Sequence, residues 1–218
     1  MVKNLSDLNV NVQNIKRVEG VSTGIAVIIL SQNDNRIILD KGANGHVCEK
    51  DVDLFLGNAN EGDIFLTQLE IPIKVVGYAL KKAKEKKLIT ILNPAPATKD
   101  VVEYLKDVDI ITPNETEMEI LGGKNGLIDC GIEKIITTLG GKGYEICDGK
   151  NITAYPCIKV TPVDTTAAGD TFCGGLAVGL ANGDSLENAC KYGSKAASIA
   201  CTKKGAQMSI PTKEEVLN

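Results

Sequence analysis

The chain has 218 residues, a formal net charge of −4, 43% hydrophobic and 4% aromatic residues, and no tryptophan. That length suits one α/β domain, with a core drawn mainly from Ile, Leu, Val and Ala. The acidic balance argues against nucleic acid as the main partner, because a phosphate backbone calls for clustered Lys and Arg, and no apolar run is long enough to cross a membrane as a helix.

Residues 1–9 read as the tail of a helix without a clear cap, and Met1-Val2-Lys3-Asn4-Leu5-Ser6 lacks the apolar stretch of a signal peptide. Residues 21–30 are β-branched and strand-like. Ser31-Gln32-Asn33-Asp34-Asn35 is a polar turn and residues 36–39 are a second strand, so the pair predicts a hairpin. His46, the sole histidine, follows Gly42-Ala43-Asn44-Gly45 in a loop and is read as a surface or packing residue, not a catalyst.

From residue 63 the rhythm alternates. Strands are expected at 63–67, 88–92, 108–112 and 134–139, with helices at 72–86, 99–106 and 114–121 between them. Pro72 suits the first turn of its helix. The cationic run from Lys81 to Lys87 reads as the solvated face and C-terminal end of the same helix, where positive charge favours the dipole. Two long helices, at about 169–182 and 185–203, close the chain, with Asp184-Ser185-Leu186-Glu187 capping the second.

This β-α alternation calls for an α/β fold, a doubly wound and mostly parallel sheet flanked by helices, with a small β hairpin at about residues 10–40. Such sheets bind ligands at the carboxyl ends of their strands. Those ends here carry Gln68 and Glu70, Asn93, Asn114 and Glu117, and Gly140 to Gly143. The seven cysteines, at 48, 130, 147, 157, 173, 190 and 201, form no Cys-x-x-Cys pair. They read as small buried hydrophobes in a reducing cytoplasm, not as zinc ligands.

The strongest motif runs from Val163 to Gly175, where small residues precede a helical run. A helix start offers unpaired N–H groups and a positive dipole end, and Ala167, Ala168 and Gly169 leave room for a phosphate to approach the backbone. Asp170 sits at the mouth of that site. A carboxylate there can accept a proton from an attacking hydroxyl while the N–H groups hold the transferred phosphoryl group. Alternatively, Asp170 only caps its helix. Thr138, Leu139, Gly140, Gly141 and Gly143 form a glycine-rich turn after a strand, which by itself is an ordinary turn.

Residues 163–175 resemble a signature of the ribokinase-like carbohydrate kinases. Further stretches match that family in order: Gly20 to Gly24, Gly42 to Asn44, Gln68-Leu69-Glu70-Ile71-Pro72, Asn93-Pro94-Ala95-Pro96-Ala97, Thr112-Pro113-Asn114-Glu115-Thr116-Glu117, Thr138 to Gly143, and Lys204-Gly205-Ala206-Gln207. The resemblance implies an ATP-dependent kinase acting on the primary hydroxyl of a pentose, D-ribose in the first instance, with Mg2+ and K+ as cofactors. It makes Asp170 the catalytic base, and Ala167, Ala168 and Gly169 the anion hole. Glu70 and Asp170 would bind sugar, and Asn114, Thr138, Leu139, Gly140, Gly141 and Gly143 would bind ATP. Glu117 would hold magnesium through water, and Asp164, Thr166, Cys201, Lys204 and Gly205 a monovalent cation. The plainer alternatives are an exposed helix carboxylate for Glu117 and a turn aspartate for Asp164. Lys142 is left out as a solvated lysine.

The family pattern includes a longer N-terminal portion with further sugar-binding residues, so the chain reads as a family member lacking that segment. A catalytically weak nucleotide-binding remnant, or a kinase for another sugar or nucleoside, therefore stays open. The connection from Leu121 to Glu133 is shorter than the family's, which predicts a less covered flank of the sheet. Exposed sheet edges predict either poor solubility or an oligomer that covers them, and the hairpin, which resembles part of the family's lid, points to a homodimer.

Overall fold

The computed structural model describes residues 2–31 and 34–218. A short helix α1 (Val2–Asp7) buries no side chain and leads through an irregular segment to a two-stranded antiparallel sheet, β1 (Ile25–Ser31) with β2 (Asp34–Asp40). The expected hairpin is therefore present, but its strands begin at Ile25, not in the stretch from residue 10 or 21. Gln32 and Asn33 of the expected turn lie outside the described residues. A 3-10 turn (Gly42–His46) follows. Gly42 adopts φ +46 there, and a Cβ on it would stand 2.4 Å from the Ser22 carbonyl oxygen, so the close approach of the two segments requires glycine.

The main sheet has six strands in sequential order: β3 (Ile64–Thr67), β4 (Ile89–Leu92), β5 (Ile110–Ile111), β6 (Lys134–Thr138), β7 (Tyr144–Cys147) and β8 (Ile152–Tyr155). The first four are mutually parallel; β7 and β8 turn back antiparallel. The crossovers are α3 (Ile73–Glu85), a 3-10 segment (Lys99–Asp107), and the pair α4 (Glu115–Ile120) and α5 (Gly123–Asp129). Pro72 occupies the N-cap of α3, one position earlier than expected. The helix α2 (Glu49–Leu56), and strands β7 and β8, were not among the expected elements.

Adjacent strand residues face opposite sides, which divides the core in two. Leu92, Ile111 and Ile135 pack with Val76 and Leu80 of α3, with Leu105, and with Leu127 of α5. Ile91, Ile110 and Ile136 face Phe172 and Leu176 of α6 (Ala168–Ala181) and Cys190 of α7 (Leu186–Ala200). The chain ends in α8 (Lys213–Leu217). The expectation of a poorly covered flank near 122–133 is corrected: Leu127 and Ile132 are fully buried against that face, because the short connection still forms a helix.

The lysine run behaves as solvated helix surface. Lys82 pairs with Glu85, Lys84 with Asp109 and Lys87 with Glu61. His46 is exposed, in keeping with a surface role. Cysteines 147, 173 and 190 are buried, whereas Cys48 is exposed and donates its thiol to Asp51, which corrects its reading as a core residue.

Candidate active site

Three adjoining hollows run along the carboxyl ends of the parallel strands. The first, about 520 Å³, is lined by Asn44, Gln68, Glu70, Asn93, Asp170 and Cys173 among others. The second, about 170 Å³, shares Asn93, Asp170 and Cys173 with it and adds Asn114, Glu117 and the Ala167–Gly169 turn. The third, about 760 Å³, shares Asn114, Thr138, Ala168 and Gly169 with the second and extends between the glycine turn, residues 157–162 and the C-terminal half of α7. Asp170 thus lies where the first hollow meets the small anion-sized one.

The start of α6 explains that placement. Ala167 is its N-cap at φ 60, a left-handed conformation that costs an alanine about 1 kcal/mol or more. Its carbonyl accepts hydrogen bonds from the backbone N–H and hydroxyl of Thr171. Among the described residues, the N–H groups of Ala167, Gly169 and Asp170 find no acceptor. These free donors at the positive end of a 14-residue helix are suited to receive an anion and make a candidate anion cradle. The Asp170 carboxylate is exposed and accepts a hydrogen bond from Gln68 Nε2 at 2.6 Å.

Asn114 caps α4. Its Oδ1 accepts from the Glu117 N–H at 2.9 Å while Glu117 Oε2 accepts from the Asn114 N–H at 2.8 Å, a reciprocal capping box. Both residues nevertheless line the small hollow. Burial pushes the Glu117 carboxyl above its ordinary range, against the lowering effect of the Asn114 N–H. A half-buried carboxylate with one oxygen bonded by the protein has the donor chemistry to hold a water of a magnesium ion.

Asp164 ties two loops together. Its Oδ1 accepts from the Thr166 N–H at 2.9 Å and its Oδ2 from the Gly205 N–H at 3.0 Å. The Thr166 side chain and these N–H groups hold its carboxyl down at about 2. The Cys201 carbonyl accepts from the N–H groups of Val163 and Asp164. Among the described residues the Thr166 and Lys204 carbonyls accept no hydrogen bond, so these oxygens could serve a monovalent cation.

Thr138, Gly140, Gly141 and Gly143 line the largest hollow, but Leu139 does not: it is the N-cap of the 3-10 turn there, its N–H donating to the Gly143 carbonyl at 2.8 Å. Gly143 has φ +111, and a Cβ on it would stand 2.0 Å from the Tyr155 carbonyl oxygen. Glu70 is exposed beside Asn44 and Gln68 in the first hollow. Asn44 and Cys157 line the site without having been assigned to it from sequence, while Gln68 and Asn93 had been marked only as polar residues at strand ends. Asn93 is 7% exposed at the end of β4, its position after an apolar strand being the signal that marked it. Cys157 donates its thiol to the Gly141 carbonyl at 3.0 Å.

Residues 1–213 match the family model of the pfkB family carbohydrate kinases. The chain belongs to that family. Its pfkB-family relatives include a ribokinase of Haemophilus influenzae, 39% identical over 95% of this chain and 72% of that protein. A deoxyribokinase of Salmonella typhi is 31% identical over 98% of this chain and 74% of that protein. The crystal structure of ribokinase from Cryptococcus neoformans in complex with ADP superposes with a TM-score of 0.86 at 28% identity, over 99% of this chain and 77% of that one. The fold is therefore ribokinase-like and the chain is an ATP-dependent carbohydrate kinase in class.

Proposed function

We propose that this carbohydrate kinase phosphorylates the primary hydroxyl of a pentose, D-ribose, to give D-ribose 5-phosphate. The observation that carries the reading is the position of Asp170 between an open polar hollow and an anion cradle that continues into a larger cavity. Sugar occupies the first hollow, in reach of Glu70, Asn93 and Asp170. ATP occupies the third, with its phosphates directed toward Ala167, Ala168 and Gly169. Asp170 takes the proton of the attacking hydroxyl, and the N–H groups of the cradle receive charge from the transferred group.

Glu117 is the residue that would hold magnesium, through water, with Asn114 beside it toward the ATP phosphates; the ion would supply neutralisation of phosphate charge. Asp164, with carbonyls of Thr166, Cys201, Lys204 and Gly205, would hold potassium and steady the cradle loop. The exposed apolar side chains Ile25, Val27 and Leu39 of the hairpin favour a homodimer joined through β1 and β2. A cytoplasmic location agrees with the unpaired cysteines.

A second substrate, 2-deoxy-D-ribose, is favoured by the 31% identity to the deoxyribokinase. The test is ADP release with Mg-ATP and potassium, with each sugar in turn, beside Asp170→Asn. Turnover dependent on D-ribose and reduced about 10²- to 10⁴-fold by the substitution supports the proposal. Turnover with the deoxy sugar alone transfers it to that substrate. ATP binding without turnover on either sugar favours a nucleotide-binding remnant.

A further inference from the structure

We propose that Gln68 is a positioning residue for Asp170: its side-chain amide fixes one carboxylate oxygen and leaves the other to take the sugar's proton. This rests on the sugar-kinase reading of the same site.

Gln68 is itself rigidly carried. It extends β3, where the Thr67 carbonyl accepts from the Asn93 N–H at 2.9 Å and the Leu69 N–H donates to the Ala95 carbonyl at 3.0 Å. Leu69 is buried at 4% exposure and anchors the segment in the core. The amide therefore projects from a backbone held on both sides by neighbouring residues of β4 and its extension. Across the cleft, Asp170 stands in the first turn of α6, exposed, where a carboxylate otherwise samples several rotamers.

The 2.6 Å contact joins these two frames across 102 residues of sequence. It is slightly shorter than the ordinary range of about 2.7–3.2 Å for an amide N–H···O hydrogen bond, as a charged acceptor favours. Among the described residues no lysine or arginine pairs with Asp170, and Gln68 Nε2 is the side-chain donor that reaches it. A cationic partner would hold the base as firmly but would oppose its protonation far more strongly than a neutral amide does. A glutamine can orient the carboxylate and still allow it to accept a proton. The amide oxygen of Gln68 remains available to the sugar in the hollow that both residues line.

The test compares wild type, Gln68→Leu and Gln68→Glu by kcat and by KM for ATP and sugar, with thermal melts of each. Gln68→Glu keeps the shape and packing of the side chain but sets a carboxylate against a carboxylate. Positioning predicts kcat about 10- to 100-fold lower in Gln68→Leu, and lower still in Gln68→Glu, with KM for ATP within about twofold of wild type. A purely structural role predicts near-normal kcat in Gln68→Glu, and that result overturns the proposal. The same outcome for Gln68→Leu overturns it as well.

A stability cycle with Gln68→Leu and Asp170→Ala separates this from the substrate assignment. Additive melting shifts overturn the pairing whatever sugar is used. If wild type phosphorylates none of a panel of pentoses and hexoses, the substrate reading fails, and a coupling in that cycle decides for or against Gln68 holding Asp170.

Discussion

Gly175 of α6 and Gly193 of α7 meet where the two helices cross, so closely that a Cβ on Gly175 would stand 2.6 Å from the Cα of Gly193. A Cβ on Gly193 would stand 2.6 Å from the Phe172 carbonyl oxygen. Backbone lies against backbone, and neither side can yield by a rotamer change. Gly175→Ala is therefore expected to destabilise the fold by about 1–3 kcal/mol through overpacking, although alanine is the better helix former. Because α6 carries Asp170 and the anion cradle, the nucleotide should also bind more weakly. Denaturant melts and ADP titration check both effects. Gly174→Ala, where a Cβ meets nothing within 4 Å, is the control and should be neutral or slightly stabilising.

Glu117 bears a cost for its position. Burial raises its carboxyl above the ordinary 4.5, so the folded chain holds that proton more tightly than the unfolded chain does. Its favourable contribution is complete below the unfolded value and is lost as pH rises through the folded one. At neutral pH Glu117→Gln should raise the melting temperature of the ligand-free protein, because the amide oxygen still accepts the Asn114 N–H. The difference should vanish in acid. Sugar-dependent ADP release should fall about 10- to 100-fold. A lower melting temperature at neutral pH would show the carboxylate to be stabilising.

Asp164 behaves oppositely. Its carboxyl is held at about 2, below the ordinary 3.8. The stability it contributes is present above the unfolded value and lost as pH falls from there through about 2. Asp164→Asn should lower the melting temperature by a constant amount from neutrality down to that window, and the gap to wild type should close within it. Paired melts across acid pH test this. A gap that closes well above the window would show that the hydrogen bonds to Thr166 and Gly205 contribute nothing through charge.

Thiol reactivity should sort by burial. Burial pushes the Cys173 thiol up to about 11 and the Cys190 thiol up to about 12, whereas Cys48 is exposed. Brief alkylation of the native protein, read by peptide mass spectrometry, should label Cys48 and spare Cys173 and Cys190. Cys157 lines the largest hollow, so Mg-ATP should slow its labelling. Rapid native labelling of Cys173 would mean that α6 opens away from β4 and β5.

Much of the candidate site was legible because its residues lie close together in the chain. Ala167, Ala168, Gly169 and Asp170 are consecutive, and a run of small residues before an apolar helix reveals a helix start in any context. The Asn114–Glu117 pair was equally visible at its spacing of three, although the structure shows that it is also a capping box. The strands Tyr144–Cys147 and Ile152–Tyr155 escaped because no helix separates them from β6 or from each other, so they stand outside the β-α alternation that marked the equally short β3 and β4, despite the Asp148-Gly149 turn between them. Helix α2 escaped because its N-cap is Cys48, a poor capping type, with Asp51 closing the cap from within the helix by accepting the Cys48 N–H at 2.9 Å.

By itself the sequence determined much of the alternation of strands and helices, the family, through motifs in order along the chain, and the turn of small residues that starts a helix at Asp170, since each motif rests on residues within a few positions of one another. Only the tertiary structure decided which side chains meet at that turn. Gln68 reaches Asp170, and Asn93 comes to line the same two hollows, because β3 and β4 are paired in register beneath α6. That pairing depends on backbone hydrogen bonds and on the packing of Ile91 and Ile110 against Phe172 and Leu176, contacts between segments too distant in the chain for any local pattern to encode.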